Sequence, residues 1–259
     1  MTTVDVDGVR LATEVIGSGK PVTVVAHGLT GSRQQLAVFA PFLPGTKVLF
    51  DFRGHGESDR PGPGSYSMDH FASDVDAVAT AFGATCVVGS SLGGGATLRL
   101  VCSKPDRFEK IVILLPARLK DSRAGEKLLR IAELLETKPL EEAAELILAD
   151  EDADGSFDGF VSSRDLRREA ILQMNRDGVP LAIRECIGDP PIRDRDALRA
   201  VQAPVLVIGQ EGDPVHDASL SRDLAAALPR AELMLFSSQQ ALIEAIPELT
   251  IRVATFLAS

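Results

Sequence analysis

Six short apolar runs rich in β-branched residues set the limits on what this chain can fold into. They are VTVVA (22–26), KVLFDF (47–52), TCVVG (85–89), IVILL (111–115), APVLVIG (203–209) and AELMLF (231–236). Each is strand-length, and several are apolar at every position, as in strands buried on both faces. Helix-period stretches lie between them. One runs from about 68 to 82, with Phe71, Val75, Val78 and Phe82 at helical spacing. A second, SLGGGATLRLVCSK (91–104), is closed by Pro105, which cannot continue a helix. Others follow at 218–228 and from about 243 to 257. Strands alternating with helices predict a mostly parallel sheet of about eight strands with helices on both faces.

The alternation is interrupted once. From about Arg118 to Leu198 the chain is helical, charged and poor in β-branched runs, as in GEKLLRIAELLE and LEEAAELIL. This predicts a core of residues 1–116 and 199–259, split by a helical cap at 117–198. The acidic stretch DEDADGSFDG (150–159) lacks the ligand spacing of an EF-hand loop and reads as a solvated segment. No apolar run approaches the length of a membrane span.

A formal net charge of −10 in 259 residues argues against nucleic acid and anionic lipid surfaces as partners. The three cysteines, Cys86, Cys102 and Cys186, show no metal spacing and cannot all pair, which fits a reducing cytoplasm. The N-terminus MTTVDVDGVR has none of the order of a signal peptide. No cofactor or metal is implied.

The chemistry is carried by GSSLG (89–93), a G-x-S-x-G between a strand and a helix. A sharp turn there holds Ser91 in a strained conformation with its hydroxyl exposed. Gly89 and Gly93 flank it because side chains would collide in so tight a turn. Ser90 is expected to face away from the pocket. Attack by Ser91 on a carbonyl creates an oxyanion that needs donors already in place. The Leu92 N–H supplies one. The loop after the first run, HGLTGS (27–32), supplies the second through the N–H of Leu29 beside His27 and Gly28.

Four motifs, HGLTGS (27–32), DFRGHGES (51–58), GSSLGG (89–94) and EGDPV (211–215), come in an order that resembles the α/β-hydrolase fold superfamily of esterases, lactonases and haloperoxidase-like serine hydrolases. The resemblance covers nearly the whole chain. It implies an α/β-hydrolase fold acting on a small carboxylic ester or lactone, with Asp213 as the acid that orients the base. It implies loop-shaping roles for His27 and His55. It also puts the base after the last strand, at Gln240, where a glutamine cannot take up a proton. Three readings follow. The chain is an inactive His-to-Gln variant; or it is a natural non-hydrolytic member that binds a ligand or guides another reaction; or His216, three residues from Asp213, serves as base from the acid's own loop. Arg33, Arg118 and Arg184 are candidates to meet a substrate carboxylate.

Overall fold

The computed structural model describes residues 2–120, 122–154, 163–213 and 215–259. The strands among them are β1 (Thr2–Val6), β2 (Val9–Ile16), β3 (Val22–Ala26), β4 (Thr46–Phe50), β5 (Cys86–Ser90), β6 (Lys110–Leu114), β7 (Val205–Gln210) and β8 (Ala231–Phe236). They form one sheet in the order β1-β2-β4-β3-β5-β6-β7-β8. β1 and β2 are antiparallel, β2 runs antiparallel to β4, and every other pairing is parallel. The mostly parallel eight-stranded sheet matches the expectation from the sequence. The N-terminal hairpin is what the apolar runs did not show. β1 is half exposed and reads as polar, TTVDV, so no continuous apolar run marks it.

Helices α1 (Met68–Phe82) and α2 (Leu92–Ser103) follow the first strands. Alternate residues along each inner strand feed two separate cores, as the two-residue side-chain period requires. Val24, Val48, Val87 and Val207 pack with Phe71, Val75 and Leu98 on one face. Val25, Leu49, Val88 and Ile208 pack with Leu36, Leu43, Val253 and Phe256 on the other.

Between β6 and β7 lie α3 (Arg123–Thr137), α4 (Leu140–Asp154), α5 (Arg164–Leu172) and α6 (Gly178–Cys186). Leu119, Leu128, Leu135, Ile147, Ile171 and Met174 are apolar members of this insertion, and the buried ones join the same cluster as the first sheet face. Phe157 and Phe160, and the second half of the acidic 150–159 stretch, lie outside the described residues. After β7 come α7 (Ala218–Ala227), β8, α8 (Gln239–Glu244) and α9 (Ile246–Ala258). A single last helix from about 243 was expected. The structure divides it at Ala245, just before Pro247, and starts the first piece earlier. The Ser238 hydroxyl accepts from the Ala241 N–H and caps that new start.

The insertion meets the core backbone to backbone at α6. A Cβ built on Gly178 would lie 2.2 Å from the Gly54 carbonyl oxygen and 2.5 Å from the Gly54 Cα. Gly54 itself sits at φ 73°. Neither backbone can retreat without shifting an element. We expect Gly178→Ala to destabilise the protein by about 1–3 kcal/mol, the usual range for overpacking a closed site. Urea unfolding read by circular dichroism, with a lower midpoint than the parent, checks this.

Candidate active site

The turn from β5 into α2 carries Ser91 at φ 47°, ψ −106°, a conformation that side-chain-bearing residues rarely adopt. The surrounding backbone enforces it. A Cβ on Gly89 would lie 2.5 Å from the Gly93 carbonyl oxygen, and one on Gly93 would lie 2.3 Å from that of Ala26. The Ser91 N–H donates to Leu114 O at 2.9 Å. The Gly93 N–H donates to His27 O at 3.0 Å, tying the turn to the loop after β3. Ser90, expected to face away from the pocket, is buried and still borders the cavity.

That loop presents Gly28 and Leu29 beside Ser91. The Gly28 N–H is taken by Gln35 Oε1 at 2.7 Å. Among the described residues, the N–H groups of Leu29 and Leu92 donate to no protein acceptor. Two buried histidines brace the loop from behind. His27 Nδ1 is 2.7 Å from Gly28 O, and its Nε2 accepts from the Phe52 N–H at 3.1 Å, so the network assigns a neutral ring. His55 lies between Arg53 O at 2.9 Å and Leu29 O at 2.7 Å. Neither ring lines the cavity.

The loop after β7 supplies the remaining groups. The Asp213 carboxylate accepts from the Val215 N–H at 2.7 Å, the His216 N–H at 3.0 Å and Gln210 Nε2 at 2.7 Å. His216 Nδ1 stands 2.9 Å from Asp213 Oδ2, and His216 Nε2 stands 3.2 Å from Ser91 Oγ. Burial pushes the Asp213 carboxyl up. The bond and charge of His216, with the two loop amides, outweigh it and leave the group at about 2. The ionised Asp213 therefore accepts a hydrogen bond from the His216 Nδ1–H, which leaves the Nε2 lone pair toward Ser91.

Gln240 does not stand in this constellation. It lies exposed in the first turn of α8, where its Nε2 donates to Glu244 Oε1 at 2.8 Å. The expected loop at that point is a helix because Ser238 caps it. Among the described residues, the imidazole that faces Ser91 is that of His216, on the loop after β7 rather than the one after β8. Its signal was the three-residue spacing from Asp213, which lets one turn bring both side chains together.

The site opens into a cavity of about 340 Å³. Leu29, Leu92, Leu115, Leu128 and Ile131 are among its apolar walls, and helices of the insertion form one side. Of the three arginines proposed for a carboxylate, Arg33 is buried against Asp51 and Glu57 and Arg184 pairs with Glu136 on the surface, whereas Arg118 lines the cavity. Cys186 also borders it, but burial pushes its thiol up to about 12 and makes it a poor nucleophile. Among the described residues no group of three or more ligating side chains could hold a metal ion, and no helix is long and apolar enough to cross a membrane.

The chain matches the family described as alpha/beta hydrolase fold over residues 21–240. It is 39% identical over 125 residues to a protein of Caulobacter segnis named as a carbamate hydrolase, RutD; that match spans 44% of this chain and 45% of that protein. A protein of the same name from Caulobacter sp. strain K31 is 30% identical over 229 residues, covering 83% of this chain and 82% of its own. The solved enol-lactonase from Burkholderia xenovorans LB400 superimposes with a TM-score of 0.81 at 20% identity, over 100% of both chains, a likeness of fold. A strained serine on a strand-to-helix turn in such a sheet defines a class, and the chain belongs to the α/β-hydrolase superfamily.

Burial pushes His27 down from its ordinary value to about 3, with His55 adding to the effect. The unfolded chain binds a proton there near pH 6.5, and the folded chain does not. This contribution is therefore whole above pH 6.5 and lost as pH falls from 6.5 toward 3. We expect His27 alone to remove about 2 kcal/mol by pH 5, at about 1.4 kcal/mol per unit. Urea unfolding of the parent and of His27→Gln at pH 7, 6 and 5 checks this; the variant should show the shallower decline.

Proposed function

We propose that the protein is a serine hydrolase of small carboxylic esters or lactones, with Ser91, His216 and Asp213 as its catalytic triad. The observation that carries this reading is the pair of contacts made by one imidazole, to Ser91 Oγ at 3.2 Å and to Asp213 Oδ2 at 2.9 Å. In the reaction, His216 Nε2 takes the Ser91 proton as Oγ bonds to the substrate carbonyl carbon. The negative charge on the carbonyl oxygen is met by the N–H groups of Leu29 and Leu92. The tetrahedral species collapses, the alkoxide leaves and takes the proton from His216, and the acyl group stays on Ser91. Water, deprotonated by His216, then attacks the acyl carbon, and His216 hands that proton to Ser91 Oγ as the C–O bond breaks and the acid is released.

Asp213 holds the Nδ1 proton and stabilises the imidazolium between the steps. The helices of residues 117–198 act as a cap that screens the reaction from water. The cavity volume favours a substrate of modest size. An imidazole against the nucleophile removes the reason for treating the chain as inactive or non-hydrolytic. Gln240 has no part in the chemistry.

The test is turnover of p-nitrophenyl acetate by four proteins. Ser91→Ala and His216→Gln should each fall by roughly 10⁴–10⁶ in kcat, the scale seen when one member of such a triad is removed. Gln240→Ala should stay within about twofold of the parent, as for an exposed residue away from the site. Loss of activity in Gln240→Ala with retention in His216→Gln would sink the assignment.

A further inference from the structure

The chain carries ten more acidic than basic residues, yet the cavity wall has the opposite balance. Its charged lining comprises five cations, Arg118, Lys120, Lys127, Arg167 and Arg195, against three acids, Glu151, Asp189 and Asp223. Two of those acids are held by arginines. Glu151 pairs with Arg167 at 2.8 Å, and Asp189 is bound by Arg99 at 2.7 Å and Arg193 at 3.1 Å. Asp223 is exposed, and its backbone oxygen accepts from Arg195 at 2.9 Å.

Arg118 and Lys120 stand on the segment that leaves β6, four and six residues beyond Leu114. Among the described residues, no carboxylate lies within ion-pair distance of either. Asp217 is felt only as a more distant charge on Arg118. The Arg118 carbonyl accepts from the Ser122 hydroxyl at 2.8 Å, which fixes the backbone as it enters α3. Both side chains are exposed, so they sit at the mouth rather than in the wall. The lining beyond them is mostly apolar, apart from the buried Glu151–Arg167 pair and the Ser91 and His216 groups. A ligand with an uncharged ester and a negative end meets both environments.

We infer that the substrate of this site is an anionic ester or lactone, bearing a carboxylate that pairs with Arg118 at the cavity mouth. The inference rests on the hydrolase reading for the identity of the reacting group. The guanidinium can take the carboxylate through two parallel N–H bonds, which also sets which end of the substrate enters first. The surrounding positive field offsets the repulsion that the acidic protein as a whole exerts on an anion.

The test is calorimetric binding to the Ser91→Ala protein, which holds an ester without cleaving it. The probes are monomethyl glutarate, an anionic half-ester, and dimethyl glutarate, its neutral counterpart. The readout is the ratio of the two affinities within one protein. The half-ester should bind on the order of tenfold tighter, as for a charged hydrogen bond at a partly screened site. Arg118→Gln in the same background should bring the ratio close to one, and 0.5 M NaCl should lower it, since salt screens the pair. Equal affinities in the Ser91→Ala protein overturn the inference. A preference that Arg118→Gln leaves unchanged overturns it also, as does failure of the half-ester to bind. None of these outcomes bears on turnover of p-nitrophenyl acetate, so the hydrolase reading stands or falls separately.

Discussion

The contact between Gly93 and the end of β3 is the constraint on which the rest of the site depends. The Gly93 amide reaches the carbonyl of His27, and its bare α-carbon lies against the Ala26 carbonyl. Any side chain there would push α2 off the sheet. With the helix so close, the chain leaving β5 has one residue in which to reverse, and that residue is Ser91 at positive φ. The same contact brings the Leu29 loop alongside the turn. The Ser91 hydroxyl, the free amide of Leu92 and that of Leu29 are thus set by one close approach of backbones. The strain at Ser91 is held by two buried cores, not by local preference.

The electrostatics follow from burial. Asp213 is kept ionised against desolvation because two loop amides, Gln210 and His216 all donate to it. The carboxylate in turn fixes the tautomer of His216. His27, two residues before Leu29, is kept neutral by burial, and its ring nitrogens are engaged with backbone. His27 and His216 therefore differ in solvent and partners: one is sealed among backbone groups, the other stands between a carboxylate and a hydroxyl.

Much of the fold was legible in residue patterns. The six apolar runs became the six strands β3 to β8; five are inner strands, apolar because both faces are buried, and AELMLF is the half-exposed edge strand β8. The hairpin of β1 and β2 escaped, since an edge strand with one wet face leaves only a weak alternating trace. In the site, Ser91, Leu29 and Leu92 could be named from the geometry that glycines impose. The base could not be placed securely. A resemblance in motif order pointed beyond β8 to Gln240, but Ser238 starts a helix there and turns Gln240 outward to Glu244. His216 was the other candidate, and spacing alone cannot say whether a loop folds back onto a serine 125 residues away.

By itself the sequence determined the alternation of elements, the strained turn at Ser91 and the reach of Asp213 to a side chain three residues on. These depend on local rules: side-chain period, glycine sterics and the short reach of one turn. Only the tertiary structure decided which imidazole meets Ser91, which arginine reaches the cavity and which are spent in ion pairs elsewhere. Arg33, Arg118 and Arg184 are alike as residues. They differ in what the folded chain brings within a few ångströms of them, and that is set by packing between segments far apart along the chain.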